Sequence, residues 1–198
     1  GLGNEAISLS GSTSVADANT IDSATSGVIT ATITEGDLAT LGTLSGSGNA
    51  YSITLSDTSA NAAALNTLDG TTTVAINAAS LNAISGSAAD ALIAYNSSGI
   101  SGLGNETIAL TDTSLAAADL NSLDGKTSGT INAASLSSLT GNATDVKASY
   151  ASTGISGLGN EAISLSGSTS VADANTIDSA TSGVITATIT EGDLATLG

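Results

Sequence analysis

The sequence contains no Cys, His, Arg, Trp, Phe, Met, Pro or Gln, and each absence removes a class of chemistry. Without Cys there is no disulfide and no thiol nucleophile. Without His as well, zinc and other transition metals lose their usual ligands, and neither a Ser-His-Asp nor a Cys-His arrangement can be assembled. Lys126 and Lys147 are the only cations against 18 Asp and Glu, a formal net charge of −16. Phosphate binding needs clustered Lys or Arg, so a nucleic-acid partner is excluded, as is an anionic membrane surface. No apolar run approaches the roughly 20 residues needed to cross a bilayer, so no membrane insertion is expected. No cationic stretch leads an apolar one as in a signal peptide, and targeting information is expected to lie outside this stretch.

The 198 residues carry 21 Leu, 16 Ile and 6 Val, close to the level at which a chain fails to bury a core. Any core must be thin and distributed. The filler of Ala, Ser, Thr, Gly and Asn suits regularly stacked small side chains better than one globular centre. An acidic, Cys-free, Ser/Thr-rich chain is at home outside the cell, and an extracellular or cell-surface location is expected.

Residues 157–198 reproduce residues 1–42 letter for letter, a period of 156. The chain is therefore expected to be a segment of a longer array. Within the period, AISLSGSTSVADANTIDS, SITLSDTSANAAALNTLDG and TIALTDTSLAAADLNSLDG stack on one another, anchored at Ile7, Ile53, Ile108 and Ile163 with spacings of 46, 55 and 55. Sub-units fall near 3–50, 51–103, 104–158 and 159–198. Each holds a second matching half: VITATITEGDLATLG, TVAINAASLNAISG and GTINAASLSSLTG.

The first half alternates apolar and polar residues, Ile7 and Leu9 or Ile53 and Leu55, which predicts a short strand. Apolar pairs Ala18/Ile21, Leu65/Leu68 and Leu120/Leu123 then predict a short helix stopped at Gly70 and Gly125 in the C′ position. In the second half, Thr34, Asn77 and Asn132 are expected N-caps of helices carrying Leu38/Leu41, Leu81/Ile84 and Leu136/Leu139. Ser14 with Asp17 approximates a capping box. Ser87…Asp90 and Asn142…Asp145 predict a further helix in two units, with Leu92, Ile93 and Tyr95, or Val146 and Tyr150, as its apolar face. The fold class expected is α/β: one continuous, elongated repeat solenoid over 1–198 with a parallel strand ladder and short crossover helices. One strand per coil is expected at Ile7, Ile33, Ile53, Ile76, Ile108, Ile131, Ile163 and Ile189.

No catalytic constellation emerges, and the chain is not expected to be an enzyme. A Ser-Lys pair would need Lys126 or Lys147, yet Lys126 is matched by Thr71 and Ser23 in sibling units and reads as a solvated turn residue. Gly125-Lys126-Thr127 lacks the first glycine and the preceding strand of a phosphate loop. Paired carboxylates for glycoside hydrolysis lack a sugar platform, with no Trp and three Tyr. The acidic residues do recur. Asp22, Asp69, Asp124 and Asp178 share one position, and Asp57 matches Asp112. Rows of such carboxylates are candidate Ca²⁺ ligands. The competing reading makes them turn and cap residues, in which case no cofactor is needed. Thr30, Thr32 and Thr34, with Ser52, Thr54 and Ser56 and with Ser128 and Thr130, also suggest a hydroxyl-bearing strand face.

The phrases SVADANTID, ALNTLDGTT and AADLNSLDGKTSGTINAASLSSLTG, followed by ASTGISGLGNE, resemble the tandem repeats of giant cyanobacterial cell-surface exoproteins, the group associated with non-flagellar swimming. That resemblance implies a secreted, highly repetitive surface or filament protein that responds to Ca²⁺. The function expected is an extracellular structural repeat protein that self-associates into a fibre, sheath or surface layer. The alternative is an adhesin stalk or an ice- or surface-binding solenoid.

Overall fold

Parallel strands and short helices alternate along the chain, an α/β arrangement, in the computed structural model, which describes residues 2–192. Strand β1 (Ile7–Thr13) leads into helix α1 (Val15–Asp22), and β2 (Ile29–Ile33) into α2 (Leu38–Leu41). Next come β3 (Ala50–Ser52), β4 (Ser59–Asn61) and α3 (Ala62–Asp69), then β5 (Ile76–Asn77), β6 (Ala83–Gly86) and α4 (Ala88–Asn96). Strands β7 (Ile100–Ser101), β8 (Thr107–Leu110) and β9 (Ser114–Ala116) precede α5 (Ala117–Asp124), and β10 (Ile131–Asn132) and β11 (Ser138–Gly141) precede α6 (Ala143–Ala151). Finally β12 (Ile155–Ser156) and β13 (Ala162–Thr169) lead to α7 (Val171–Asp178) and β14 (Ile185–Ile189). Two compact units result: Gly1–Ser85 with Ile93–Glu106, and Gly86–Leu92 with Thr107–Gly198.

In the first unit β1, β2 and β3 form a sheet in which Ile7 lies opposite Ile29 and Ala31 opposite Tyr51. There β4 also pairs with β6, and β5 with β7. In the second unit β10 lies between β8 and β12, so Ile108, Ile131 and Ile155 stack, while β9, β11, β13 and β14 align Leu115, Leu139, Ile163 and Ile185. These pairings are all parallel, and the partners named lie 20 to 24 residues apart, one pass of the chain. Their apolar residues interdigitate with the helices: Ile29, Tyr51, Leu65 and Leu68 in the first unit, and Ile131, Leu139, Leu120 and Leu123 in the second, are each 0% exposed. A buried Leu or Ile contributes about 1.5–3 kcal/mol, so the thin core works by repetition.

Several expectations are corrected. Leu81/Ile84 and Leu136/Leu139 do not lie on helices; Ile84 and Leu139 sit in strands β6 and β11. The preceding serine is the cause. Ser80 Oγ donates to the Leu55 and Asp57 carbonyls of the previous pass (2.8 and 2.9 Å), and Ser135 Oγ to the Leu110 carbonyl (2.9 Å), which ties the segment to its neighbour instead of to its own turn. Asn77 and Asn132 accept only from the N–H two residues on, of Ala79 and Ala134. Passes such as these therefore carry two strands instead of one. The N-cap of α2 is Asp37, which accepts from Thr40 N, and not Thr34. On α4 the buried stripe is Ala88, Ala91 and Ala94, while Ile93 is 57% exposed. The caps Ser14, Ser87 and Asn142 accept from the N–H three residues on, as expected.

The two identical segments provide an internal comparison. Residues 1–36 and 157–192 share every letter but bury opposite sides. Val15, Ala18, Ile29 and Ile33 are buried in the first copy, whereas Val171, Ala174, Ile185 and Ile189 are half-exposed in the second. Conversely Ile163, Leu165 and Ile177 are buried where Ile7, Leu9 and Ile21 are not. Among the described residues the first copy is covered by the pass after it and the second by the pass before it.

Gly70 and Gly125 end their helices with φ −69° and −71°, so no left-handed conformation is needed, and sibling helices use Ser23 and Ser179 there. Gly102 differs: its φ is +88°, and a Cβ would lie 2.8 Å from Ala79 N. Gly70→Ala is expected to stabilise by about 0.4–1 kcal/mol through the unfolded chain, and Gly102→Ala to destabilise by more than that. Urea unfolding of the two variants measures both signs.

Candidate functional site

The recurring aspartates lie at the ends of helices, where neighbouring passes meet. Asp22, Asp69 and Asp124 are the last residues of α1, α3 and α5. A carboxylate there opposes the helix dipole, and each is compensated from the following pass. Asp22 accepts from Ser45 Oγ (3.1 Å) and Asn49 Nδ2 (2.9 Å), Asp69 from Ser97 Oγ (2.7 Å) and Asp124 from Ser152 Oγ (2.7 Å). Ser97 and Ser152 in turn accept from Gly99 N and Gly154 N (2.9 and 3.0 Å), completing an N–H to hydroxyl to carboxylate relay. A Cβ on Gly99 or Gly154 would meet the Asp69 or Asp124 carboxylate, so any side chain there would push that carboxylate from its present position. Asp178 is likewise the last residue of α7.

Other acids serve helix N-termini. The first helical N–H of α1, α2, α4 and α7 donates to a carboxylate of the next pass: Val15 to Glu35 (3.0 Å), Leu38 to Asp57 (2.5 Å), Ala88 to Asp112 (2.7 Å) and Val171 to Glu191 (3.1 Å). Negative charge at this end complements the dipole. These helix starts are thus held twice, by a local cap such as Ser14 or Asp37 and by an acid 19 to 24 residues further on. Of the six candidate metal ligands, Asp57 and Asp112 occupy such N-terminal positions and Asp22, Asp69, Asp124 and Asp178 the C-terminal ones. Among the described residues no three acidic side chains form a metal-sized group.

A buried pair escaped the sequence reading. Glu106 and Glu161 are 0% exposed. Glu106 Oε2 accepts from Tyr95 Oη (2.7 Å), Gly104 N (2.9 Å) and Asn105 N (3.1 Å); Glu161 accepts from Tyr150 Oη (2.8 Å) and Gly159 N (2.9 Å). Positive φ at Gly104 (+143°) and Gly159 (+138°) turns these N–H groups onto the carboxylate. The available signal is the spacing of 11 between Tyr and Glu in both copies. Glu5, in the same GLGNE motif, is exposed.

Lys147 of α6 pairs with Asp173 of α7, and Lys126 is exposed. Cavities are shallow; one of about 210 Å³ is lined by Asp22, Thr25, Gly27, Gly46 and Asn49. No described helix is long and apolar enough to cross a membrane. The outer strand face of the first unit aligns exposed Ser8 with Thr30, Ser12 with Thr32, and Thr32 with Ser52. In comparisons with known proteins, no family model, no curated protein and no solved structure matches this chain.

Glu106→Ala is expected to lose about 3 kcal/mol by stranding buried donors. Glu5→Ala, in the exposed copy of the motif, should stay within about 0.5 kcal/mol. Chemical denaturation of both variants checks the pair.

Hydrogen bonds from Thr40 hold Asp37 below the usual carboxylate range, Lys147 does so for Asp173, and the Thr190 hydroxyl for Glu191. A depressed folded value stabilises above the unfolded value, about 4, and is lost as pH falls through the folded one. Burial, with Glu161 adding and Thr181 opposing, pushes Tyr150 up to about 12. That contribution is present below the unfolded value, about 10, and is lost as pH rises beyond it. Thermal unfolding against pH should show a plateau that falls off below about 4 and above about 10.

Proposed function

We propose that the chain is a structural repeat protein of the cell exterior, an α/β solenoid whose coils add to one another to make a fibre, sheath or surface layer. One observation carries the reading: identical segments bury complementary sides, so a coil is complete only between two neighbours, and extension by further coils leaves no cost in exposed core. Acids cap the neighbouring coil's helices, which makes the −16 charge part of the joint between coils as well as a solubilising surface. The chemistry supports no catalytic role, and none is assigned. On this reading self-association follows from the same complementarity, and fibres should diffract with a meridional spacing of about 4.8 Å from parallel strands. Antiparallel hairpins, or a chain that stays monomeric at high concentration and seawater-like salt, overturn it.

The acidic rows are read as joints and not as Ca²⁺ sites, because their oxygens already accept from serine, asparagine and helix N–H groups. Salt should therefore raise stability by screening, and Na⁺ and Ca²⁺ should act alike at matched ionic strength apart from modest divalent screening. A large Ca²⁺-specific rise in Tm, abolished by Asp69→Asn with Asp124→Asn, overturns this. The exposed Ser and Thr rows on β1, β2 and β3 favour a second reading, an ice- or surface-binding face, which thermal hysteresis tests.

A further inference from the structure

Among the aspartates only Asp69 and Asp124 are followed by glycine; the matching helix ends read Asp22-Ser23 and Asp178-Ser179. Glycine has no Cβ to keep its amide nitrogen away from the side chain before it, so an Asp-Gly link is the one at which that nitrogen most readily attacks the carboxyl carbon. Gly70 and Gly125 are exposed, and water reaches both links. The fold nevertheless holds each in an unreactive arrangement. Gly70 N donates back into α3, to the Asn66 and Leu68 carbonyls, and Gly125 N into α5, to those of Asn121 and Leu123. The carboxylates are held from the next pass, by Ser97 Oγ on Asp69 and Ser152 Oγ on Asp124 (2.7 Å each), and they abut Gly99 and Gly154. One such joint lies within each compact unit.

We propose that Asp69-Gly70 and Asp124-Gly125 are sites of spontaneous conversion to isoaspartate, and that the serine hydroxyl supplied by the next pass gates the reaction. At the first site the Gly70 nitrogen bonds to Cγ of Asp69, and one Cγ–O bond breaks. The oxygen leaves as water, taking the amide proton and one proton from solvent, and a five-membered succinimide remains. Water then adds to the main-chain carbonyl carbon of Asp69 and breaks its bond to the Gly70 nitrogen. The chain now continues through Cγ, the former main-chain carbonyl is the free carboxylate, and one proton is released. Water is the only co-reactant, and mass and charge are unchanged.

Ring closure needs a ψ at the aspartate outside the helical range, so the last turn of α3 or α5 must open first. The glycine N–H must leave its helix carbonyls, and the carboxylate must leave Ser97 or Ser152 to turn toward the nitrogen. Both events belong to local opening of one joint, and the reaction runs at the intrinsic rate multiplied by the open fraction. The product does not close again in register, because isoaspartate adds a methylene to the main chain where the helix ends and moves the carboxylate away from the serine. Each opening that reacts therefore leaves a lasting mark. The Asp22-Ser23 link ends α1 with its carboxylate bonded to Ser45, yet the Ser23 side chain hinders attack, so this joint supplies an internal contrast.

The test uses the whole chain, aged at neutral pH in native buffer and in concentrated urea, then digested with elastase. Peptides spanning residues 69 and 124 are resolved by mass spectrometry against synthetic isoaspartyl standards. Isoaspartate should accumulate at both sites in urea, and more slowly by at least about tenfold in the folded chain. Ser97→Ala should raise the folded-state rate at Asp69 by about tenfold, the scale of one hydrogen bond to a charged group, and leave Asp124 unchanged. Ser152→Ala should do the reverse, while Ser97→Thr, which keeps the hydroxyl, should stay at the original rate. Gly70→Ser, copying Ser23, should slow the reaction at residue 69 in urea as well as in buffer. Equal rates in buffer and urea, or a rise at both sites alike in each serine-to-alanine variant, overturn the gate. Absence of isoaspartate at 69 and 124 in urea overturns the sites themselves.

Discussion

Every pass of this chain is unfinished alone, and the hydrogen bonds that finish it come from the pass beside it. A helix of four to nine residues, as here, leaves a large share of its N–H and C=O groups without internal partners. The chain solves this with side chains supplied about 20 residues later: Glu35 for α1, Asp57 for α2 and Asp112 for α4. Short helices of this composition have little intrinsic stability. Parallel pairing and carboxylate caps therefore stand or fall together, since the same displacement of a neighbouring pass would remove both.

The composition follows from that constraint. Ala62, Ala88, Ala91 and Ala117 are 0–1% exposed, at helix faces that press against strands, and larger side chains there would push the layers apart. Ser and Thr are abundant because hydroxyls bridge passes in many places: Ser80, Ser101, Ser135 and Ser156 each donate to a carbonyl of the preceding pass. Asp serves at both helix ends for different electrostatic reasons. At the N-terminal end the dipole favours it; at the C-terminal end it is tolerated only because a serine or asparagine donor meets it.

Local patterns in the sequence foretold much of this. The anchors Ile7, Ile108 and Ile163, and Ile131 beside them, sit in strands whereas Ile53 lies one residue beyond β3, and Ser14, Ser87 and Asn142 cap helices, because alternation and three-residue capping spacing are determined by nearby residues. Leu81/Ile84 failed because the apolar spacing fits a helix and also the two ends of a strand approach, and Ser80 decides between them through a carbonyl 25 residues earlier. The burial of Glu106 was equally illegible. An acid in a glycine-rich loop reads as solvated unless the tyrosine 11 residues before it is known to lie above it. The six aspartates were singled out by recurrence alone, and only the geometry distinguishes the four at helix C-termini from the two at N-termini.

Identity between residues 1–36 and 157–192 has a genetic consequence. A crossover between two such stretches adds or deletes a whole period while leaving the residues at each junction between passes unchanged. On the proposed array reading, folding exerts no selection on the number of periods, and length can drift or be selected for reach alone. A point substitution behaves oppositely. On the same reading, a substitution copied by recombination into every period would be multiplied along the array, so each joint position would be under a constraint scaled by the copy number.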